Sequence, residues 1–414
     1  MIIELLATGD EIRTGAAIDT NSAHIAQVLK QTGLETIRHT CVGDDMDIMV
    51  SILKEIGIRA DVAIVTGGLG PTSDDITAEA AAKAKGVERV LNRSALGVVE
   101  NFFKIRKRTM SPSNKKQALL PKGAESLNNP VGSAPGFVLK IDQCSFFFVP
   151  GVPFEMKRML SDEVLPRIKK LGGRTGELSL LKTLSTFGLA ESVIGELLTG
   201  LPDEFPEITL GFRSKFPEIQ VKLYIRGKDE PSLRKILEEA SHWILGKLGE
   251  HIFSMDGTSM QAVVGGLLTE KQATLAVAES CTGGLISHLL TNVPGSSGYF
   301  LFSGVTYSNH AKTKVLGVST EILQQYGAVN EETVKRMAQG VREVAGATYG
   351  LATSGIAGPE GGTDEKPVGT VCIGLATPHD VKGFAFVFPF NTRLMNKRIF
   401  AVKALDLLRR ELQA

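Results

Sequence analysis

Apolar runs alternate with helical patterns through the first third of the chain. Short apolar runs are typical of buried strands, whereas apolar residues three and four apart are typical of helices. The predicted strands are residues 2–7, 35–42 and 61–66, and the predicted helices are residues 19–32, 45–56 and 76–85. Strands that alternate with helices predict a parallel sheet with helices on both faces.

An acidic turn follows each of these predicted strands. Gly9-Asp10-Glu11 follows the first, Gly43-Asp44-Asp45 the second, and a glycine-rich loop ending in Asp74-Asp75 the third. Parallel sheets bind ligands at the carboxyl ends of their strands. Carboxylates that meet there would repel each other unless a cation such as Mg²⁺ neutralises them. The alternative is that each Asp only caps the following helix.

Other segments extend this predicted site. Gly67, Gly68 and Gly70 would let backbone N–H groups approach a phosphate. Glu155 follows the apolar run 146–149, which adds it to the same edge of the sheet. The basic candidates for phosphate contacts are Arg106, Lys115 and Lys116, with a solvated basic face as the alternative.

The middle of the chain has a different order of elements. After a predicted linker at 171–176, the pattern predicts β-α-β-β-α between residues 178 and 248. This order is typical of a small α+β domain. The segment does not contain a cluster of residues of catalytic types. Its basic residues belong either to an ordinary charged surface or to a surface that contacts RNA.

The last third predicts a separate α/β domain with helices packed on a mixed sheet. The predicted strands are residues 273–278, 299–307, 349–354, 368–376 and 381–388, and the main predicted helices are residues 259–271, 331–345 and a long C-terminal helix capped by Thr392. The first strand leads into the turn 278–284, which places a hydroxyl, Ser280, beside a thiol, Cys281, and two glycines.

This turn is the strongest candidate for a nucleophile. Ser280 needs a base and donors for the oxyanion, and backbone N–H groups at 282–284 are candidates for the donors. Cys281 is the rival, because thiolates are better nucleophiles, although it also suits the role of a small buried residue. The spacing favours Ser280 only weakly over Cys281.

The following motifs offer a base and an anion site. Lys312 suits the base if burial lowers its pKa, and Tyr307 would relay a proton or orient the pair. His310 is the histidine nearest a motif. The loop 355–363 is a candidate phosphate cradle, and Arg393 would join it at a helix N-terminus. A salt bridge is the alternative for Arg393.

Composition excludes several classes of protein. The 414 residues carry a net charge of +1 without a long run of like charge, so broad nucleic-acid or membrane-surface binding is not expected. The four Cys form no CxxC pair, which argues against a disulfide framework or a zinc ribbon. The first residues do not resemble a signal peptide, and no apolar run has transmembrane length. We predict a soluble cytoplasmic protein.

Six segments of the N-terminal region resemble motifs of the CinA (competence/damage-inducible protein) family, whose first domain has a molybdopterin-binding-like fold. They are GDE at 9–11, DTN at 19–21, GDD at 43–45, GGLGPTSDDIT at 67–77, NPVGSAPGF at 129–137 and PGVPFEM at 150–156. The resemblance implies an ADP-ribose pyrophosphatase that yields AMP and ribose 5-phosphate. It also implies a divalent cation (Mg²⁺, Co²⁺ or Mn²⁺) with K⁺ assisting.

The resemblance and the acidic turns together define the expected site residues of this domain. The expected catalytic residues are Asp44 and Asp75. The expected substrate contacts are Asn21, Gly67, Gly68, Gly70 and Thr72. The expected metal ligands are Asp10, Asp44, Asp74, Asp75 and Glu155.

The C-terminal region resembles the CinA C-terminal domain, which also occurs alone as nicotinamide mononucleotide (NMN) amidohydrolase. The matching segments are AESCTGG at 278–284, PGSSGYF at 294–300, GVTYSNHAK at 304–312, TSGIAGPEGG at 353–362 and KPVGTV at 366–371. The resemblance implies Ser280 as nucleophile and Lys312 as base, with no cofactor at this site. Tyr307 and Ser354 fall on supporting positions, and Ser354 keeps the hydroxyl of the Thr found in many relatives.

The same resemblance implies the substrate contacts of this domain, which are Gly283, Gly284, Asn309, Gly358, Gly361 and Arg393. The expected domains are a molybdopterin-binding-like three-layer α/β domain at 1–170, a KH-like α+β spacer or dimerisation domain at 177–250 and an α/β deamidase domain at 256–414. We expect a homodimer that recycles NMN and ADP-ribose. The alternatives are a molybdopterin- or nucleotide-binding protein without hydrolysis at the first site, and a non-catalytic competence or DNA-damage factor.

Overall fold

The computed structural model describes residues 1–171, 178–390 and 392–414. The chain forms two compact units, Met1–Leu180 with Ile225–Arg234 and Leu181–Tyr224 with Lys235–Ala414. The predicted linker at 171–176 lies, apart from Leu171, outside the described residues. In the described part of the chain, no helix combines the length and apolar character needed to cross a membrane.

The N-terminal domain is built on a mixed sheet. Its strands are β1 (Ile3–Thr8), β2 (Thr36–Val42), β3 (Val62–Thr66), β4 (Arg89–Leu91), β5 (Leu119–Pro121), β6 (Glu125–Leu127), β7 (Gly136–Ile141) and β8 (Cys144–Val149). The main sheet has the order β2-β1-β3-β8-β7-β6, and β4 pairs with β5 separately. The prediction of parallel pairing is confirmed for β2, β1, β3 and β8, whereas β7 runs antiparallel to both of its neighbours.

Helices cover both faces of this sheet. They are α1 (Asp10–Arg13), α2 (Thr20–Gln31), α3 (Met46–Arg59), α4 (Thr77–Lys85), α5 (Arg93–Ile105), α6 (Pro153–Met159) and α7 (Leu165–Leu171). Successive residues of a strand point to opposite faces, so Leu5 packs in a cluster with α2 and α6, while Leu6 packs in a cluster with α3 and α4. The two clusters give the domain its three layers.

The carboxyl ends of the parallel strands meet at one edge of the sheet. The N–H of Gly9 donates to the carbonyl of Val42 at 3.1 Å, and the N–H of Gly67 donates to the carbonyl of Val149 at 3.1 Å. A Cβ at Gly67 would lie 2.4 Å from the Thr8 carbonyl oxygen. The glycine-rich loop therefore runs directly against the end of β1, which only glycine permits.

The middle domain has an antiparallel sheet flanked by helices. Its strands are β9 (Leu178–Phe187), β10 (Ile208–Lys215), β11 (Glu218–Gly227) and β12 (Ile252–Ser254), and its helices are α8 (Glu191–Leu197), α9 (Leu201–Glu204) and α10 (Glu230–Leu248). The sheet order is β10-β11-β9-β12. The short strand β12 pairs antiparallel with β9, so this sheet continues beyond the predicted boundary at residue 250.

The C-terminal domain has a second mixed sheet. Its strands are β13 (Leu275–Glu279), β14 (Phe300–Val305), β15 (Tyr349–Gly355), β16 (Thr370–Ala376) and β17 (Val381–Val387), in the order β14-β13-β15-β16-β17. Its helices are α11 (Met260–Glu270), α12 (Leu285–Thr291), α13 (Asn309–Leu316), α14 (Thr320–Tyr326), α15 (Glu331–Ala345) and α16 (Arg393–Gln413). Strand β13 pairs in parallel with β14 and β15, which brings the turns that follow all three strands to one edge.

The glycine-rich loop of the N-terminal domain yields a test of close packing. A Cβ at Gly68 would lie 2.1 Å from the buried Thr77 hydroxyl oxygen, whereas a Cβ at Gly86 would meet no atom within 4 Å. The two glycines have similar φ values of +64° and +73°, so an alanine at either shares the same kind of backbone strain. We expect Gly68→Ala to lower the free energy of unfolding by about 1–3 kcal/mol more than Gly86→Ala, because overpacking adds to the strain.

The measurement is denaturant unfolding of the full chain, with hydrogen exchange at residues 62–85 to assign the transition to this domain. Equal losses in the two variants would contradict the packing described for this loop.

Candidate active sites

The nucleophile turn of the C-terminal domain begins where the buried strand β13 ends. The N–H of Ser280 donates to the carbonyl of Thr353 at 3.0 Å, which continues the β13–β15 pairing by one residue. Gly283 and Gly284 then adopt positive φ values of 59° and 91°, and α12 starts at Leu285. The turn therefore holds Ser280 at the edge of the sheet where the three parallel strands end.

A buried carboxylate fixes this turn. Glu279 is fully buried and accepts hydrogen bonds from the backbone N–H groups of Gly284, Ile286 and Ser287, at 2.9, 3.1 and 2.9 Å, and from the Ser287 hydroxyl. It satisfies donors at the start of α12 that would otherwise lack partners. Glu279 was not predicted from the sequence, although an acidic side chain between a buried strand and a helix start is a signal for such a role.

Helix α13 brings Lys312 to Ser280. The side chain is 1% exposed, and its Nζ lies 3.2 Å from Ser280 Oγ, 3.0 Å from the Thr306 carbonyl oxygen and 3.2 Å from the Tyr307 carbonyl oxygen. No carboxylate of the described residues forms an ion pair with it. Burial lowers the pKa of Lys312, and the nearby Cys281 opposes this only in part.

The burial of Nζ favours a neutral amine. An ammonium would donate to all three neighbouring oxygens, whereas a neutral amine would donate to the two carbonyl oxygens and accept the Ser280 hydroxyl proton. A charged ammonium here would be desolvated without a counter-charge, which is unfavourable. The site therefore contains the hydroxyl and base that nucleophilic catalysis requires.

Cys281 has the environment of a structural residue. It is 4% exposed, and burial raises the pKa of its thiol to about 12. A thiol with this pKa is not a thiolate near neutral pH, so it is not an activated nucleophile. The geometry thus favours Ser280 where the sequence pattern left both residues open.

Ser280 and Lys312 open into a cavity of about 290 Å³. The candidate residues that line it are Ser280, Cys281, Tyr307, Lys312, Ser354, Gly358, Gly361 and Arg393. Arg393 donates one hydrogen bond to the Gly358 carbonyl at 2.8 Å and one to the Tyr307 hydroxyl at 2.9 Å, instead of forming the salt bridge considered as its alternative. Its remaining N–H groups are available to an anionic ligand.

Asn396 fixes the position of the loop 355–363, which contains Gly358 and Gly361. This role was not predicted from the sequence. It is fully buried in α16, and its Nδ2 donates to the carbonyls of Ala357 and Phe390, both at 3.0 Å. It thereby ties the loop to the start of the helix that carries Arg393. A polar residue one turn into an amphipathic helix gives no sequence signal for such a role.

Other expected contacts of this domain differ from the structure. Asn309 is exposed at the start of α13 and does not line the cavity, and neither do Gly283 and Gly284. The N–H of Gly283 is bonded to the Ser280 carbonyl and that of Gly284 to Glu279, so neither is available for an oxyanion. The Tyr307 hydroxyl is bonded to Arg393, so it does not orient the Ser280–Lys312 pair through its phenol.

The N-terminal domain has a cavity of about 540 Å³ at the carboxyl edge of its sheet. The expected residues that line it are Asn21, Asp44, Gly67, Gly68, Gly70, Asp74, Asp75 and Glu155, and further carboxylates are Glu11 and Asp19. No Lys, Arg or His of the described chain lines this cavity. Burial raises the pKa of Asp44, and the nearby carboxylates of Asp10, Glu11 and Asp74 raise it further. The hydrogen bond that the Asp10 N–H donates to the Asp44 carboxylate acts in the opposite direction.

The expected five-residue metal site does not form. The described residues contain no group of three His, Cys, Asp or Glu side chains arranged to hold a metal ion. Asp10 pairs with Arg13 at 3.0 Å and does not line the cavity, and the Asp75 carboxylate accepts from the N–H and hydroxyl of Thr72 at 2.9 and 2.6 Å. Asp10 and Asp75 are thus held by contacts within their own segments.

Three further expectations change in the same region. Glu155 accepts a hydrogen bond from Asn129 at 2.7 Å, although it still lines the cavity. Thr72 does not line the cavity, and Lys116 donates a hydrogen bond to the Thr72 carbonyl oxygen. Arg106 donates to the Val131 carbonyl at 3.1 Å, so neither of these basic residues supplies a phosphate contact in the cavity.

Comparison with known families agrees with this architecture. Residues 4–170 match the model described as probable molybdopterin binding domain, residues 181–254 the damage-inducible protein CinA KH domain, and residues 257–412 the CinA C-terminal domain. The fold therefore defines a three-domain α/β protein with a molybdopterin-binding-like domain, a KH domain and a CinA C-terminal domain.

Full-length relatives extend this result to the whole chain. The chain is 53% identical over 412 residues to a CinA-like protein of Desulfosudis oleivorans, with 100% of both chains covered. It is 49% identical over 416 residues to a CinA-like protein of Desulforapulum autotrophicum, with 100% of this chain and 98% of the other covered. The chain belongs to the CinA family.

Solved structures of the family match only part of the chain. The competence/damage-inducible protein of Agrobacterium tumefaciens is 34% identical, covers 38% of this chain and 98% of its own, and has a TM-score of 0.36. CinA of Thermoplasma acidophilum is 29% identical, covers 41% of this chain and 99% of its own, and has a TM-score of 0.38. The family assignment rests on the full-length relatives.

Proposed function

We propose that the C-terminal domain is an NMN amidohydrolase that converts NMN and water to nicotinate mononucleotide and ammonia. The observation that carries this proposal is the 3.2 Å separation of Lys312 Nζ and Ser280 Oγ, with Lys312 buried and no carboxylate of the described residues paired with its amine. A hydroxyl with a neutral amine as base is sufficient for acyl transfer. The family assignment supports a hydrolase that acts on nucleotides.

The proposed reaction has two halves. Ser280 Oγ attacks the amide carbon of the substrate while Lys312 takes the hydroxyl proton, and Lys312 then gives this proton to the leaving nitrogen, so that ammonia departs and an ester remains on Ser280. Water next attacks the ester carbon, with Lys312 again accepting the proton. The product carboxylate leaves, and the Ser280 hydroxyl is restored.

The other cavity residues suit the rest of the substrate. Arg393 lies in the first turn of α16, a 21-residue helix, where its guanidinium and the helix N-terminus both favour an anion. Gly358 and Gly361 line the same cavity as Arg393, together with Glu360. Ser354, 1% exposed and lining the cavity, is the side chain proposed to contact the amide.

Four variants separate the roles of these residues. We expect Ser280→Ala and Lys312→Met each to lower kcat for ammonia release from NMN by about a thousandfold or more, because each removes one member of the pair. Cys281→Ala should keep kcat within a few fold. Lys314→Met, an exposed lysine on the same helix, is the matched control and should leave kcat unchanged.

The assay is ammonia release under saturating NMN, with kcat and KM measured separately. If Cys281→Ala is inactive while Ser280→Ala retains activity, the proposed mechanism is wrong.

We propose a second activity for the N-terminal domain, the cation-dependent hydrolysis of ADP-ribose to AMP and ribose 5-phosphate. The support is the charge of its cavity, which is lined by carboxylates and by no basic side chain of the described chain. A pyrophosphate would be repelled there unless cations accompany it. The glycine-rich loop supplies backbone groups that can lie close to the phosphates.

The carboxylates of this cavity can hold a divalent cation only if the substrate supplies some of the oxygen ligands of that cation. Mg²⁺ is usually bound through one or two carboxylates, substrate phosphates and water, which does not need a preformed cluster. Asp44 and Asp74 both line the cavity, and the charge of Asp74 contributes to the raised pKa of Asp44, so they are the side chains proposed to hold it. Such an ion would neutralise the charge of the pyrophosphate. K⁺ remains an expectation of the family resemblance.

Hydrolysis of ADP-ribose by the full chain tests this second activity. We expect AMP release with Mg²⁺, Co²⁺ or Mn²⁺, its loss with EDTA, and a fall of about a hundredfold or more in Asp44→Asn. Asp47→Asn, an exposed carboxylate on α3, is the matched control, and Ser280→Ala should retain AMP release.

Binding of ADP-ribose without AMP release under all these conditions would replace this activity with the binding-only alternative. Both activities are proposed for a homodimer, because the family resemblance implies a KH-like spacer or dimerisation domain. The cytoplasmic location remains an expectation from the sequence composition.

A further inference from the structure

Another cavity, of about 480 Å³, lies within the compact unit formed by Leu181–Tyr224 and Lys235–Ala414. One wall comes from the middle domain, and the other comes from β17, the residues that follow it and α16. The described residues that line it do not line either candidate active site. Its volume falls within the range of about 300–1,000 Å³ that is typical of small-molecule sites.

Four phenylalanine rings form much of the wall of this cavity. Phe216 and Phe390 meet edge to face, with their ring centroids 4.9 Å apart and their planes at 84°. Phe386 and Phe388 are two residues apart, so their rings lie on one face of the chain, with centroids 6.2 Å apart. All four rings pack against the core of the C-terminal domain but are only partly buried. Each ring therefore keeps a surface that the flat ring of a ligand can cover.

Lys403 brings a cation to this apolar wall. Its Nζ lies 4.8 Å from the centroid of the Phe386 ring, and its side chain is 17% exposed. The ion pair of Nζ with Asp406 spans 3.5 Å, which is longer than the roughly 2.7–2.9 Å of a charge-assisted hydrogen bond. The Asp406 carboxylate is closer to Arg409 and Arg410, at 2.7 and 3.0 Å. The Lys403 ammonium thus shares a distant counter-charge and keeps N–H donors for an anion in the cavity.

Glu218 also lines the cavity, but its carboxyl group is engaged within the protein. It is 7% exposed and accepts a hydrogen bond from the N–H of Met260 at the start of α11. The positive end of that helix offsets the charge of the carboxylate. Burial raises the pKa of Glu218, while Lys215 and the bond from Met260 act in the opposite direction. Lys403 is therefore the charged group of the lining that is suited to a ligand.

We propose that this cavity binds a small aromatic carboxylate, whose flat ring lies against the phenylalanine rings and whose carboxylate accepts a hydrogen bond from Lys403. A doubly charged phosphate fits less well, because Glu218 opposes it and the apolar wall does not solvate it. The site is distinct from both candidate active sites and does not depend on the proposed hydrolytic activities.

Isothermal titration calorimetry of the full chain with three naphthalene probes tests this proposal. 2-Naphthoate has the ring and the carboxylate, 2-naphthamide keeps the shape without the charge, and 2-naphthylmethylammonium reverses the charge. The wild type should bind naphthoate about tenfold to a hundredfold more tightly than naphthamide, the range expected for one charge-assisted hydrogen bond. The ammonium probe should bind more weakly than naphthamide, because Lys403 repels it.

Three variants locate the binding. Lys403→Met keeps an unbranched apolar side chain without the ammonium, so it should weaken naphthoate by about tenfold or more and change naphthamide by no more than a few fold. Lys382→Met is the matched control, since Lys382 lies on β17, pairs with Glu411 and does not line the cavity, and it should leave both affinities unchanged. Ser214→Trp, at an exposed position of the lining, places a ring in the cavity and should weaken both probes by about tenfold or more. This variant leaves Asp406 and its partners intact, so it tests the site even if Lys403→Met folds poorly.

Equal affinities of the wild type for naphthoate and naphthamide, or tighter binding of the ammonium probe, overturn the inference. Naphthoate binding that persists unchanged in Lys403→Met and in Ser214→Trp overturns it as well. If the wild type does not bind naphthoate, the proposal is wrong. A lower sedimentation coefficient of Ser214→Trp would in that case assign the cavity to an interface between two copies of the chain.

Discussion

A lysine amine buried without a counter-charge is the constraint on which the C-terminal site depends. Lys312 is 1% exposed and is held by Ser280 and two carbonyl oxygens. In this setting burial favours the neutral amine, which is the form a base needs. A carboxylate beside it would hold the proton on the amine and remove the base. In the proposed reaction, Ser280 acts as nucleophile only if this amine accepts its proton.

This arrangement also has a consequence for stability. Burial lowers the pKa of Lys312, so the folded chain binds a proton at this amine less readily than the unfolded chain. Between the lowered folded pKa and the ordinary pKa of lysine, the unfolded state binds more protons, and the free energy of unfolding rises with pH. Below the folded pKa, the buried charge opposes folding. The site is therefore maintained by the packing of the β13 sheet against α16 and α15.

The alternation of apolar runs predicted most strands and helices, and the motif spacing predicted that Ser280, Lys312, Ser354 and Arg393 share a domain. Contacts that depend on side-chain direction could not be predicted in this way. Glu279 directly precedes Ser280, but its carboxylate accepts hydrogen bonds from backbone N–H groups at the start of α12. The acidic turns do follow the parallel strands, yet Asp75 bonds to Thr72 within its own loop. Sequence shows which residues reach an edge of a sheet, and local hydrogen bonds decide where their side chains point.

The cavities of the two candidate active sites differ in charge. The C-terminal cavity contains a buried amine that no carboxylate of the described residues pairs with, although Glu360 also lines it, whereas the N-terminal cavity is lined by several carboxylates and by no basic side chain of the described residues. The central claim is that burial lowers the pKa of Lys312 and so favours the neutral amine that the proposed reaction uses as base. An NMR titration of the lysine side chains, with Lys312→Met to assign its signal, tests this most directly. The account predicts that Lys312 titrates well below an exposed lysine, whose pKa is about 10.4, and that kcat for NMN rises with pH through the same midpoint. A Lys312 signal that titrates at or above the ordinary value would contradict it.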